Sequence, residues 1–518
     1  MILASWAKAG LAGEWILIII DTLILASLAC TLKSKDFKKV FYFCILPIFV
    51  LCIHFFISYL NPSYKIPNTK EWNNLNFKDS FSKEVNLGKS IMISEGIESV
   101  IYVSPKDPEL ALALFFDLKN RYYDKYPKSI SSTSKILSEC ENLISVNPKT
   151  YLPTLSISHA GVVYRFIHFN SQLLIGVLFF ILATSRKSIR KILIVLSINS
   201  GLLAFFGIWQ KLNYVPSDDL LEIWGIWNTP EPRYYFSSFT YKNHWSAFAL
   251  LAISSIIGVF INNWQRKGRD GILNLLTLLQ FLSFIFLMIS IPLSGSRSGS
   301  LLLGLTFVVS LFLVIKHFKL TKIKNWLLLS SGLITLLIIL FVLTKKLHPE
   351  TTREMMSNFK SQYENFTSGK KPLRFLLWKD LCMQISKKPV FGFGFDSYRA
   401  INPIYQSNEV RSERMKGLKA AHSKYTPLVA FGHSEWLQKI SEFGFLGVML
   451  ITPIIMAILI NFIKCKSLLL KILFAGCFMF LTYSLIDFPA QTPVCLMTFS
   501  ILLGLSFKYS ELGNRRNP

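Results

Sequence analysis

Residues 272 to 315 read ILNLLTLLQFLSFIFLMISIPLSGSRSGSLLLGLTFVVSLFLVI, two apolar blocks separated by a short Ser-Gly-Ser-Arg turn. A helix needs roughly 20 consecutive apolar residues to cross the hydrocarbon core of a bilayer, and each block approaches that length. Arg297 is the one charged residue in the whole stretch. Lipid offers backbone amides no hydrogen-bond partners, so blocks of this kind are carried by helices.

Comparable blocks lie on both sides, near 15–31, 40–60, 169–184, 192–210, 245–262, 326–344, 445–462, 472–486 and 490–507. With the blocks at 272–293 and 299–315, they predict an all-α polytopic membrane protein of about 11 transmembrane helices, within a range of 10 to 12. Composition agrees. The 518 residues are 52% hydrophobic and only 17% charged, with mean hydropathy +0.42, which excludes a water-soluble enzyme of this length.

The basic residues set the expected orientation. Segments 32–39, 185–191, 263–271, 316–325, 463–471 and 508–518 carry 21 Lys and Arg against three acids, Asp36, Asp270 and Glu511. Short basic segments alternating with other loops mark the cytoplasmic side, which puts the amino terminus and the long loops on the opposite face. Most of the net charge of +26 therefore encodes topology, and no nucleic-acid partner is expected. The eight cysteines form no CxxC pair, so neither a disulfide framework nor a metal site is expected.

The predicted organisation is two spans in 1–60, an outer loop or small subdomain in 61–168, a transmembrane core in 169–344, a second long outer loop in 345–443, and carboxy-terminal spans with a cytoplasmic tail in 444–518. The first outer region is nearly charge-balanced, with 13 basic and 11 acidic residues. It is expected to hold a strand at Ser99–Ser104, then a helix capped by Asp107, opened by Pro108 and striped by Leu110, Leu114, Leu118 and Tyr122. Residues 211–244 are aromatic, with Trp224, Trp227, Tyr234, Tyr235, Phe236 and Phe239, which suits interfacial anchoring and sugar stacking equally. The region 345–443 has 17 basic and 9 acidic residues, a cation excess suited to an anionic ligand.

Individual residues carry the candidate chemistry. Arg297 lies in Ser294-Gly-Ser-Arg-Ser-Gly-Ser300 at the outer edge of a span, where a charge is costly and a functional role is the default; Ser294 and Ser296 allow close approach of a ligand. Pro372 opens a helix expected to run to about Lys388, which places Arg374 and Trp378 on one face. An Arg suits phosphate through its planar, permanently charged fork. Gly392-Phe-Gly-Phe-Asp396 follows a helix and reads as a tight turn, with no value as a nucleotide motif. His433 opens a segment leading into the ninth block and has the chemistry to deprotonate a hydroxyl, with Glu435 or Glu442 to orient the ring or share the proton. His422, in a similar setting, is a weaker duplicate.

Taken in order, these stretches resemble the O-antigen ligase and polymerase superfamily, which includes bacterial protein O-oligosaccharyltransferases. Ile144-Ser-Val-Asn-Pro148 is similar to a Ser-x-Asp-Pro element, with Asn147 for the acid. Phe239-Thr-Tyr-Lys-Asn-His-Trp-Ser-Ala247 is similar to Phe-x-Asn-Arg-Asn-His-Phe-Ala, with Tyr241 for Asn and Lys242 for Arg. The Ser-Gly-Ser-Arg run at 294–297 resembles its counterpart closely, as does the region from Arg374 and Trp378 through the GxG turn to His433, Glu442 and Gly444. The likeness runs from about residue 144 to the end.

The resemblance implies a GT-C-like membrane fold and a metal-independent, inverting glycosyltransferase with no cofactor, in a bacterial inner membrane with its active face periplasmic and 345–443 as its catalytic loop. Its donor would be a glycan on polyprenyl (undecaprenyl) diphosphate, used in lipopolysaccharide or surface polysaccharide biosynthesis. The acceptor would be lipid A core, a glycan or a protein, in a site open to membrane lipid. Arg297 and Arg374 would hold the diphosphate and stabilise its growing charge, and His433 would be the general base. Lys242, Asn243 and His244 would contact the donor, Lys242 without the bidentate grip of an Arg. Ser294, Ser296, Trp378, Glu435 and Glu442 complete the expected substrate-binding set. A glycolipid transporter or flippase is the alternative from another class, and would place its charges near the midplane within inverted repeats. A membrane scaffold would make the Arg and His residues dispensable.

Overall fold

The structure is a computed structural model of the full chain and describes all residues except 33, 35–44, 76–86, 127–131, 214–221, 225, 229–233, 320–322, 417–424 and 515–518. The chain forms an all-α polytopic membrane protein. Nine helices among the described residues are long and apolar enough to cross a bilayer, and each coincides with one of the expected blocks. The expected span at 326–344 is contained in the 25-residue helix Ile323–Leu347. That at 40–60 begins outside the described residues and continues as the 15-residue apolar helix Leu46–Leu60. His422 also lies outside the described residues.

The chain divides into two compact units. The first comprises Met1–Ile45, Ile167–Glu364 and Pro453–Pro518. Its centre is the helix Lys242–Ile272, whose Trp245, Phe248, Leu251, Ala252 and Ile253 are buried against the helices Arg186–Leu212 and Leu468–Ile486. Serines are admitted to this apolar interior because their hydroxyls bond back to the preceding turn. Ser254 and Ser255 donate to the carbonyls of Leu250 and Leu251, and Ser197 and Ser200 to those of Leu193 and Leu196. Part of the aromatic stretch before Lys242 is packed inside this unit. Tyr235, Phe236 and Phe239 are buried, and Trp224 donates its indole N–H to the Trp6 carbonyl at 3.0 Å.

The second unit comprises Leu46–Phe166 and Asn365–Thr452. Two short parallel strands, β1 (Pro62–Tyr64) and β2 (Leu155–Ile157), pair Pro62 with Leu155 and Tyr64 with Ile157. Beside them the helices Leu87–Val103, Pro108–Lys125 and Ser132–Ile144 enclose a core of Ile93, Ile97, Val100, Leu112, Phe115, Phe116, Leu118 and Leu137. The strand expected at Ser99–Ser104 is absent; these residues finish the helix Leu87–Val103 and its terminal turn. Ile93, Ile97 and Val100 recur at helical spacing on the buried face, and that burial overrides the β-preference of the local Val and Ile residues. The next helix starts as expected. The Asp107 carboxylate accepts from the Leu110 amide at 3.0 Å, and Pro108 occupies the first turn. That helix is buried on more than the one expected stripe, with Leu110 and Leu114 at its margins.

Candidate functional site

The expected site residues fall into two groups, one in each unit. In the first unit, the turn between the helices Leu275–Leu293 and Arg297–His317 is built from its own serines. Ser294 donates to the Ile291 carbonyl at 2.6 Å and accepts from the Ser296 amide at 3.3 Å. Ser296 caps the following helix, its hydroxyl accepting from the Gly299 amide at 3.1 Å. Arg297 is thereby the first residue of a 21-residue helix, at the positive end of its dipole, and its guanidinium lies 5.9 Å from the Phe359 ring centre. A fixed cation combined with a helix amino terminus attracts anions.

Asn243 and His244 are both hydrogen-bonded within the fold, His244 through Nδ1. Asn243 donates to Asp487 at 2.5 Å and to the Tyr241 hydroxyl at 2.9 Å, while its carbonyl oxygen accepts from Ser296 at 2.7 Å. Tyr483 extends the network, 3.2 Å from the Ser296 hydroxyl and accepting from Ser298 at 3.1 Å. His244 Nδ1 is 2.6 Å from the Thr492 hydroxyl, and its ring stands edge-on to Phe488 and Tyr241. Both residues are nine-tenths buried. Asn243 thereby holds the Ser296 cap that precedes Arg297. Lys242 is more open, its ammonium over the Tyr234 ring at 5.4 Å and beside the Gly295 turn. Lys211, at the end of the helix Arg186–Leu212, shares its electrostatic neighbourhood with Lys242, Glu350 and Glu354.

In the second unit, the helix Leu373–Lys387 begins after Pro372 as expected and carries Arg374 and Trp378. Leu376, Leu377 and Leu381 are buried with Tyr398, Val410 and Val429, and Trp378 packs against this cluster. The Trp378 indole N–H donates to the carbonyl of His433 at 3.1 Å. His433 has φ of 51°, a left-handed backbone rare for a residue with a side chain, and such strain is held by surrounding contacts. Those contacts are the Trp378 bond and the Gly432 amide, which donates to Gln438 at 3.0 Å. Burial, then the charges of Arg374 and Arg414, push the His433 imidazole down to about 4 from its ordinary 6.5. The ring is therefore neutral at physiological pH, its basicity reduced by burial and by the two cations.

Glu442 is fully buried and committed elsewhere, accepting from Gln438 at 3.0 Å and pairing with Lys439 at 2.8 Å. It does not touch His433. Glu435 is buried in the first turn of the helix Glu435–Lys464. The GxG stretch is the tight turn expected of it. The Phe393 and Gly394 amides donate to the Ser441 and Glu442 carbonyls at 2.9 and 2.8 Å, and Gly392 and Gly444 take φ of 69° and 63° where a Cβ would strike the facing main chain. His54, from the Leu46–Leu60 helix, lies 3.1 Å from the Phe391 carbonyl and braces the same turn.

Residues 282–452 match the family model described as O-antigen ligase. Over these residues the chain is similar to the O-antigen ligase family. The matched third of the chain contains Ser294, Ser296, Arg297, Arg374, Trp378, His433, Glu435 and Glu442, whereas Lys242, Asn243 and His244 precede it. No curated protein and no solved structure matches the chain. Several residues of the two groups escaped the sequence reading. Arg414 reaches the neighbourhood of His433 from the helix Asn408–Met415, its guanidinium 3.3 and 3.4 Å from the Pro427 and Leu428 carbonyls. Gln438, Tyr483 and Lys211 carried no signal. Asp487 did, as an acid at the end of an apolar block, a position that is expensive without a purpose.

Proposed function

We propose that this protein is an O-antigen ligase-type glycosyltransferase, moving a glycan from a polyprenyl-diphosphate carrier to an acceptor hydroxyl at the periplasmic face of the bacterial inner membrane. The observation that carries this reading is the neutral His433, with Arg374 and Arg414 as its charged neighbours, inside the segment that matches the family. A neutral imidazole is the required form of a general base, and guanidinium groups suit an anionic leaving group.

In this mechanism the acceptor O–H loses its proton to His433 as its oxygen forms a bond to the anomeric carbon. The bond from that carbon to the diphosphate oxygen breaks from the opposite side, so configuration inverts. Polyprenyl diphosphate departs with the electron pair, and its charge is assigned to Arg374. Arrival of an anion beside Arg374 also offsets the cations that depress His433, so the base strengthens when the donor is present. Lipid A core or a growing glycan is the proposed acceptor.

Transfer from a purified polyprenyl-diphosphate glycan tests the reading. His433→Ala and Arg374→Ala are expected to reach the membrane at normal levels and to transfer nothing. Full transfer by either variant overturns the assignment. The glycan made by a deletion strain separates the acceptors, because loss of all attached polymer marks a ligase and single repeat units mark a polymerase.

A further inference from the structure

The outer part of the second unit contains a cavity of about 400 Å³ that none of the expected site residues lines. Its volume falls in the range of roughly 300 to 1,000 Å³ typical of small-molecule sites. Tyr64 and Lys65 form one wall, Pro105 and Pro108 a second, and Ser158 and His159 a third. The last pair immediately precedes the helix Ala160–Leu182, so the cavity lies beside the amino-terminal end of that candidate span.

The lining defines a ligand. Both basic side chains already have acidic partners: Lys65 pairs with Glu71 at 3.2 Å, and His159 Nε2 lies 3.0 Å from the buried Glu109. No excess charge calls for an anion. Prolines and the Tyr64 ring, held edge-on by Phe116 at 5.3 Å, offer rigid apolar faces. The Tyr64 hydroxyl has no hydrogen-bond partner among the described residues, and Lys65 is half exposed at the rim. Flat apolar walls with a few fixed polar groups match the alternating C–H faces and hydroxyl edges of an uncharged sugar.

The cavity is also tied to the base. Glu109, which holds His159, is bonded to Arg165, and Arg165 to Asp396 of the GxG turn. That turn is hydrogen-bonded to Ser441 and Glu442 on the helix that starts two residues after His433. A ligand that orders His159 is thus connected to the element carrying the catalytic candidate by a continuous chain of polar contacts.

We infer that this cavity is a subsite for one or two uncharged sugar residues of the acceptor glycan. The inference rests on the glycosyltransferase reading for the word acceptor, but not for the binding itself. The test is saturation-transfer NMR on the full chain in a detergent without sugar headgroups, with lactose, maltose and N,N′-diacetylchitobiose as probes. Wild type and His433→Ala are expected to transfer saturation to at least one probe. Pro105→Trp, which fills the cavity, and Lys65→Ala, which trims its rim, are expected to lose most of that signal and to raise the acceptor KM severalfold. Silence of all three probes with wild type, or an undiminished signal in Pro105→Trp, overturns the inference. Should Pro105→Trp fail to fold, Lys65→Ala decides alone: a lost signal supports the subsite, and an unchanged one overturns it. Sugar binding by a wild-type protein that moves no glycan would keep the cavity and sink the enzyme reading, and glycan transfer without binding would do the reverse.

Discussion

The indole of Trp378 donates a hydrogen bond to the main-chain carbonyl of His433 at 3.1 Å, joining the candidate base to the helix that carries Arg374. The bond acts on the backbone of a residue held at φ of 51°, so it sets where the imidazole is presented without touching the ring.

Trp378→Phe keeps the apolar contact and removes this donor. A hydrogen bond of this kind is worth about 1 kcal/mol, and its loss is expected to lower kcat by about fivefold. KM for the donor should change little, since Arg374 remains. A rise in KM with kcat unchanged would instead make Trp378 a substrate contact.

The protonation of His433 is expected to respond to its two cations. The folded imidazole sits near 4, below its ordinary 6.5, so the unfolded chain binds more protons between those values. Stability from this group is complete above about pH 6.5 and is lost as pH falls toward 4. Arg374→Gln should raise the imidazole pKa, read by NMR of histidine-labelled protein, and inorganic pyrophosphate should raise it in the wild type. No movement in either case would remove the electrostatic link between donor and base.

Asp487→Ala is expected to destabilise the first unit by about 1 to 3 kcal/mol, because it leaves the buried Asn243 amide and the Phe488 N–H without their acceptor. Thermal unfolding in detergent reads this directly. Transfer should fall as well, since Asn243 holds the Ser296 cap beneath Arg297.

Gly444→Ala is expected to abolish transfer and to reduce the folded yield sharply. The new Cβ would meet the Val390 carbonyl, and the backbone there has φ of 63°. Gly447→Ala, on the same helix but in ordinary helical conformation, is the control; there a Cβ meets only the Phe443 side chain, which can shift.

EDTA is expected to leave the transfer rate unchanged, because the departing diphosphate is assigned to guanidinium groups rather than to a divalent ion. A strict requirement for added Mg²⁺ in the same assay would overturn the metal-free mechanism.

The turn at Ser294–Arg297 and the helix from Leu373 to Lys387 were legible because capping and proline effects act within a few residues. The error at Ser99–Ser104 arose where local β-preference opposed a buried helical face, a contest that only packing resolves. Asn243, His244 and Glu442 hydrogen-bond to Asp487, Thr492 and Lys439, pairings that the sequence did not show. No spacing rule could foretell partners more than 240 residues away for the first two.

The sequence by itself determined that this is a multi-pass helical membrane protein and which residues form its spans, because the cost of placing a segment in lipid is summed along contiguous residues. It also named Arg297, Arg374 and His433, whose residue types are informative wherever they occur. Only the tertiary structure decided which polar side chains satisfy one another, brought Arg414 near His433, and made that histidine neutral. Burial and the distances between charges depend on chain segments far apart in sequence, and they, rather than residue type, set the protonation of a base.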